Sequence, residues 1–593
     1  MPRNQPNPNP PADETRPGDD ALSTGQLENL ARQMAESHTA SHHPRSRSPL
    51  LHRLQEQEAL LREAYQRFAS EPQLSLSFAG EWLLDNFYIV QQALRQVRED
   101  MPEGFYRQLP QVQTHSLESH PPRIYLVACE IIRHSQNYLV FDQVRRFIHI
   151  YQGINRLTMG ELWALPTMLR FGLLENLTQA VAHITGLQTP DSGEVFIGAT
   201  PTPQELTEER IVSNCILSLR ASAVQDWKTF FEDVSRVEQV LRRDPAKVYA
   251  AMDFDTRDSY RKVVEELARA TGWDEEEVAQ EAIQVAQAGS QDSPCTQHVG
   301  FYLLDAGRAQ LEARLDYRPP LSTRLRRWLS SHPTLVYLGS SALITLIILL
   351  GLVWYAMAAG GTLLQLLGVV LIALIPVTAV AVSLVNWIIT YTIPPHILPR
   401  MAFEDGIPAN CRTVVVIPAL LTHPDEVKDL LWQLELYFQS NADPNLYFAV
   451  LSDFADATDS HMPGDEDLIE QAIAGIQALN EKYGTHSAGP FYLFHRERQW
   501  NPAEELWMGW ERKRGKLADL NKLLMGDVPT YFSVQEGNLE ILPQIKYVIT
   551  LDADTVLPLG GARRLVATLA HPLNRAEFDP ESDKVVSGYT VLQ

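Results

Sequence analysis

The chain has 593 residues, a formal net charge of −23, and 45% apolar against 21% charged residues, with 38 prolines and 31 glycines. That length predicts three or more folded units at about 100–200 residues each, and the composition excludes a collagenous or wholly disordered chain. So acidic a chain repels a phosphate backbone, which argues against nucleic acid as a partner.

Residues 1–48 carry six prolines in their first twenty positions and run into the Ser/His/Arg stretch SHHPRSRSP. Such a segment buries too little apolar area to offset chain entropy, and a disordered tail is predicted. It contains no apolar run, so no signal peptide is expected. The four cysteines, Cys129, Cys215, Cys295 and Cys411, are too widely spaced for a zinc site and are expected to be reduced thiols in a cytosolic setting.

Residues 49–320 predict a helical cytosolic domain. LHRLQEQEALLREAYQRFA, EWLLDNFYIVQQALRQV, PRIYLVACEIIRH, GELWALPTMLRFGLLENLTQAV and RDSYRKVVEELARATG repeat apolar residues at three- and four-residue intervals. Proline and polar clusters separate them as helix breaks. Trp82, Phe87, Tyr125 and Trp163 are expected in its core.

The mean hydropathy of −0.17 conceals a segment without any Asp, Glu, Lys or Arg, 72 residues from Trp328 to Pro399. Within 334–391 two runs, 334–358 and 363–391, are 25 and 29 residues long. A hydrocarbon core needs about 20 apolar residues as helix, so both predict transmembrane helices. Trp354, Tyr355, Trp387 and Tyr391 lie near their ends, where amphipathic rings favour the interface. Arg308, Arg314, Arg318, Arg324, Arg326 and Arg327 precede the hairpin, and Arg400 and Arg412 follow it, which places both ends on the cytosolic side.

Residues 400–593 alternate strand patterns (RTVVVIPALL, LYFAVLSDF, FYLFHR, KYVITLDADTVLP) with helical ones (HPDEVKDLLWQLELYFQSN, DEDLIEQAIAGIQALNEKY, KLADLNKLL), predicting a mostly parallel α/β sheet. The predicted fold class is thus multidomain: an α-helical N-terminal domain, a transmembrane helical hairpin and an α/β domain.

Asp552 and Asp554 leave the last apolar run two residues apart, so both reach the space beyond a strand's carboxyl end, where open α/β sheets bind ligands. Two hard oxygen ligands suit Mg²⁺ or Mn²⁺ bridged to nucleotide phosphates, and such a metal stabilises charge on a diphosphate leaving group. In WMGWERKRGKLADLN, Arg512, Lys513, Arg514 and Lys516 surround Gly515 in an otherwise acidic chain, a cluster able to neutralise a diphosphate. Asn521, five residues after Lys516, is expected on the same side of that helix. Asp453 ends another apolar strand, where it either meets uridine or ribose or caps a helix. The triplet also fits the DxDxT signature of haloacid-dehalogenase-like phosphatases, with Asp552 as nucleophile and Asp554 as acid/base. That fold needs the motif on its first strand, whereas Val414 opens this sheet far earlier, so the phosphatase reading is disfavoured.

From about residue 50 the chain resembles the cyclic β-1,2-glucan synthases of Gram-negative bacteria. The resemblance rests on EWLLDNFYIV, PRIYLVACEII, LPRMAFEDGIPANCRTVVVIPALL, LSDFADA, MPGDEDL, FYLFHRERQWNP, WMGWERKRGKLADLN, YVITLDADTVLP and LAHPLNR. It implies a multi-pass inner-membrane enzyme that builds glucan from UDP-glucose on a glucan acceptor, with residues 400–593 as a partial GT-A (nucleotide-sugar-binding) domain truncated at its C-terminal end. In that case Asp552 and Asp554 bind the metal, Arg514 and Lys516 lie near the donor, and the donor-binding set is Asp453, Arg514, Lys516, Asn521, Asp552 and Asp554. A β product from an α-linked donor requires inversion and a base to deprotonate the acceptor. No residue here fits that base, which is expected beyond Gln593, so the chain reads as a fragment of such a synthase. An inactive membrane-anchored assembly or regulatory module is the alternative.

Overall fold

The computed structural model describes residues 24–38, 40–41, 50–106, 108–112, 121–188, 207–289, 294–393, 395, 397–484, 489–526, 531–552, 554–582 and 584–593. Two compact units share the chain: Met1–Arg243 with Trp273–Gln280, and Asp244–Gly272 with Glu281–Gln593.

The first unit is helical. Within the tail expected to be disordered, Thr24–Ser37 forms helix α1; the rest of 1–48 lies outside the described residues except His38 and the short strand Ala40–Ser41. The reason is local: Leu27, Ala31, Met34 and Ala35 recur at helical spacing, and all four are buried. At the unit's centre lies α2, Met159–Thr185, apolar on nearly every side and buried accordingly. A capping box of Thr158 and Glu161 starts it, and Gly186, at φ 66°, ends it. Beyond its capping role, Glu161 receives the guanidinium of buried Arg123 through two hydrogen bonds of 2.6 and 2.8 Å. Phe87 and Tyr125 are buried as expected, whereas Trp82 and Trp163 are half-buried, Trp163 stacking on Phe231 at 4.4 Å.

The unit boundary falls inside the 49–320 segment rather than at its end. Helix α3, Phe254–Thr271, and the short helices Val299–Leu304 and Arg308–Arg314 belong to the second unit. A buried polar network explains this. His298 bridges Asp244 (2.8 Å) and Tyr260 (2.9 Å), and its ring meets that of His571 at 5.5 Å. Arg400 pairs with Asp253 and Asp255 at the start of α3.

Helix α4, Leu321–Ser331, leads through His332 into α5, Pro333–Ala358, and α6, Leu363–Thr392, which pack on each other. At 26 and 30 residues, α5 and α6 are long and apolar enough to cross a membrane. Only 11% and 17% of their most apolar windows are buried, so they are not core helices of this unit. Their few buried residues, Ser341, Thr345, Val377, Ala381 and Val385, are small or β-branched and allow close approach. Tyr337 donates to Asn386 Oδ1 across the pair (3.0 Å).

The α/β part holds a five-stranded sheet. Its strands are β1 (Thr413–Leu421), β2 (Leu446–Phe454), β3 (Phe491–Arg496), β4 (Phe532–Glu536) and β5 (Tyr547–Thr550), in spatial order β4-β3-β2-β1-β5. Four run parallel and β4 is antiparallel to β3. Helices α7 (Pro424–Ser440) and α8 (Asp465–Tyr483) make the first two crossovers, α9 (Arg512–Met525) lies between β3 and β4, and α10 (Gly561–Ala570) follows β5. β1 to β3 are buried on both faces, as their near-continuous apolar runs require. Val415, Ile417, Phe448 and Phe491 pack on one face, and Val414, Val416, Ala449 and Phe494 on the other.

Candidate functional site

Successive crossovers carry the chain outward from β1 to β3, and then it returns to β5 on the opposite flank of β1. The sheet therefore has a topological switch point between β1 and β5, the place at whose carboxyl edge open α/β sheets bind ligands. β5 pairs with β1 only from Thr413↔Tyr547 to Val416↔Thr550, while β1 runs on to Leu421 beside β2. Past Thr550 the chain leaves the sheet in a turn in which Thr555 N–H donates to the Asp552 carbonyl (2.9 Å). Asp552 and Asp554 both lie exposed in this turn. Because the motif follows the last strand rather than the first, the topology departs from what a phosphatase of the haloacid-dehalogenase type requires.

The basic helix α9 meets the same edge. Lys513 pairs with Asp552 through its ammonium, and each side chain is about half exposed. Arg514 is exposed, with Glu511 at 3.4 Å, and Arg512 pairs with Asp456 at 2.8 Å. Lys516, one turn further along the helix, is buried instead. It is 3% exposed, and its Nζ donates to the Ala419 carbonyl on β1 (2.6 Å) and lies 3.2 Å from Asp453 on β2. Burial pulls its pKa down, and the Asp453 carboxylate opposes that pull without cancelling it. Asn521 is exposed and does not share the Lys516 side. Five residues at 3.6 per turn put it about 140° around the helix, so the expected common face is corrected.

Asp453 is 1% exposed. Its carboxylate accepts from Arg496 Nε (2.9 Å) and Nη2 (3.0 Å), a forked pair. Arg496 also donates to Asp519 Oδ2 (2.8 Å) and to the carbonyls of Trp510 (3.1 Å) and Arg512 (3.2 Å). Burial lowers the Arg496 pKa, but the two carboxylates outweigh it and hold the guanidinium charged. Two glycines make this closeness possible: a Cβ at Gly509 would stand 2.4 Å from Asp453 Oδ2, and one at Gly515 2.0 Å from the Trp510 carbonyl. Beside the cluster His495 bonds Ser452 Oγ (2.9 Å), and burial lowers its pKa to about 4, so it is neutral.

The structure thus brings Asp453 and Lys516 together beneath the edge, and Asp552 together with the exposed start of α9. Arg496, which organises the buried half, and Asp519 escape sequence reasoning, because an arginine ending FYLFHR reads as a solvated strand end. The partial signal is that its β-register partner is Asp453.

Asp552 and Asp554 are hard oxygen donors in an exposed turn. Among the described residues no group of three or more His, Cys, Asp or Glu side chains surrounds a common point. Two carboxylates do not make a closed metal cage, but they fit a Mg²⁺ or Mn²⁺ ion that takes its other ligands from water and substrate phosphates.

No protein-family model matches the chain. Among curated proteins it is 33% identical to the cyclic beta-(1,2)-glucan synthase NdvB of Rhizobium meliloti (strain 1021), over 621 aligned positions covering 91% of this chain. This similarity supports the cyclic β-(1,2)-glucan synthase family for the matched stretch. The chain spans 21% of that relative's length, and its switch-point site lies in its last 200 or so residues.

Proposed function

We propose that the α/β part binds UDP-glucose at the switch point and serves a membrane-bound glycosyltransferase that passes glucose, with inversion, to a growing β-1,2-glucan. The observation that carries the reading is the meeting of the Asp552–Asp554 turn with the basic start of α9 at one sheet edge. Asp552 and Asp554 hold Mg²⁺ or Mn²⁺, which when bound supplies positive charge against the diphosphate leaving group. Lys513 and Arg514 face the same phosphates from α9, with Asn521 on its exposed side. Asp453 and Lys516 form the floor beneath the donor, where their mutual pairing fixes the ends of β1 and β2.

The helices α5 and α6 cross a bacterial inner membrane as a hairpin with both ends in the cytosol. Their outward-facing apolar surfaces support this, as do the arginines on either side. The relative, a cyclic β-(1,2)-glucan synthase, supports the choice of glucan product.

Titration of UDP into the detergent-solubilised chain with Mn²⁺ present tests the site. Binding is expected to weaken at least about tenfold, 1.4 kcal/mol, in Asp552→Ala/Asp554→Ala. Equal affinity in variant and wild type would sink the assignment.

A further inference from the structure

Helix α4 joins α5 through a single residue, His332, and none of its eleven residues is buried. At about 100° per residue, Leu321, Leu325, Trp328 and Leu329 occupy one arc roughly 100° wide. Leu321 is 81% exposed, Leu325 58% and Trp328 49%, values at which a soluble surface helix leaves its apolar face without a partner. Arg324 and Arg326 border the arc, about 40° and 60° from its two edges. Neither makes a side-chain ion pair among the described residues. Arg327, farther round, is held by Glu312 at 2.5 Å, and Trp328 stacks on His332 at 5.3 Å, at the junction with α5.

We propose that α4 lies flat in the headgroup region of the membrane that α5 enters, with Leu321, Leu325, Trp328 and Leu329 in the acyl boundary and Arg324 and Arg326 on anionic phosphates. This rests on the reading of α5 and α6 as a membrane hairpin. Chain continuity sets the depth: a helix one residue from the end of a span cannot move far from the bilayer surface. Charge selects the lipid, because the two free arginines attract a negatively charged leaflet. An arginine-bordered apolar arc of this width matches an interfacial helix rather than a protein groove, where the bordering cations would need acidic partners.

The test uses the full chain with native cysteines replaced by serine, reconstituted in phosphatidylcholine/phosphatidylglycerol vesicles. An environment-sensitive fluorophore is placed in turn at Leu325→Cys, Trp328→Cys, Ser330→Cys and Leu346→Cys. Nitroxide lipids labelled near the headgroup are expected to quench positions 325 and 328 at least about threefold more than position 330, on the opposite face. In Arg324→Gln/Arg326→Gln the contrast no longer depends on phosphatidylglycerol. Aqueous iodide quenching 325 and 328 as strongly as 330 would overturn the proposal, as would shielding of both from lipid and iodide, the mark of a protein partner. Position 346, in the middle of α5, reports separately: its failure to be quenched by nitroxides near the acyl ends refutes the hairpin itself.

Discussion

Replacing Arg496 by Met is the sharpest probe of the buried cluster. The side chain donates five hydrogen bonds, three of them to carboxylates, from a position 2% exposed. Met fills much of the volume but, among the described residues, leaves Asp519 with only Lys522 at 3.8 Å and Asp453 with only Lys516 as cationic partners. Removing one partner of a buried ion pair costs about 3–5 kcal/mol, because the remaining charge stays desolvated. At about 2–4 °C per kcal/mol for a domain of this size, the melting temperature of the α/β part falls by about 6–20 °C. Differential scanning calorimetry of the solubilised chain reads the shift. A double-mutant cycle with Asp519→Leu sharpens the result: the double variant is expected to lose less than the sum of the two single changes, since the orphaned carboxylate is gone. A loss below about 1 kcal/mol for Arg496→Met, as at an exposed pair, would refute the view that Arg496 holds β2, the Trp510 loop and α9 together.

Three further outcomes follow from the same geometry. Gly515→Ala pushes a methyl into the Trp510 carbonyl, 2.0 Å from the ideal Cβ position; overpacking of about 1–3 kcal/mol and weaker UDP binding are expected, and unchanged Tm and affinity together would count against the close approach. Lys513→Gln leaves stability nearly untouched, because its pair with Asp552 is half exposed, yet weakens UDP binding measurably by isothermal titration; a variant binding as well as wild type removes Lys513 from the phosphate site. His495 and His571, with pKa values lowered by burial to about 4 and about 3, bind protons in the unfolded state before they do in the folded one. Stability therefore rises with pH across the window from those values to about 6.5, and each group costs about 2 kcal/mol on going from pH 8 to pH 5. A melting temperature that stays flat over that range would contradict their neutral burial.

The sequence pattern was most legible where one periodicity dominated. The strands RTVVVIPALL, LYFAVLSDF and FYLFHR lie where continuous apolar runs put them, and both long apolar helices begin and end within a residue or so of the expected limits. Strand β4, FSVQE, escaped because its single firmly buried residue, Phe532, leaves no apolar run. Helix α1 escaped because proline-rich neighbours masked four well-spaced apolar residues. The division of the helical segment escaped for a different reason: the His298–Asp244–Tyr260 bridge joins residues far apart in sequence, and no local pattern encodes that. At the site, charge was legible and burial was not. Asp453, Lys516, Asp552 and Lys513 are all simply charged residues in one dimension. Only the register Asp453↔Arg496 and the depth along α9, whose first turn is exposed and whose next is buried, separate those that hold the fold from those left exposed.

That separation bears on how a donor site can be both rigid and exchangeable. Exposed cations such as Lys513 and Arg514 make weak, screened pairs, so a diphosphate can displace their carboxylate partners at little cost. Their directions must still be fixed, and the start of α9 offers no side-chain cap, only Glu511 and Arg512 at positive φ. Buried charges supply the fixing. Lys516 ties α9 to β1 through the Ala419 carbonyl and to β2 through Asp453, while Arg496 ties the backbone at Trp510 and Arg512 to the same carboxylate. Two successive turns of α9 thus present opposite behaviours, the inner one locked and the outer one free to exchange partners. Gly515 lies where the two meet, because only a residue without Cβ lets the helix start settle onto the Trp510 carbonyl. If this division holds, Lys516→Met should lower both stability and UDP affinity, whereas Lys513→Gln should lower affinity alone. Equal stability losses in the two variants, measured by the same calorimetry, would show that the inner and outer cations are not distinct.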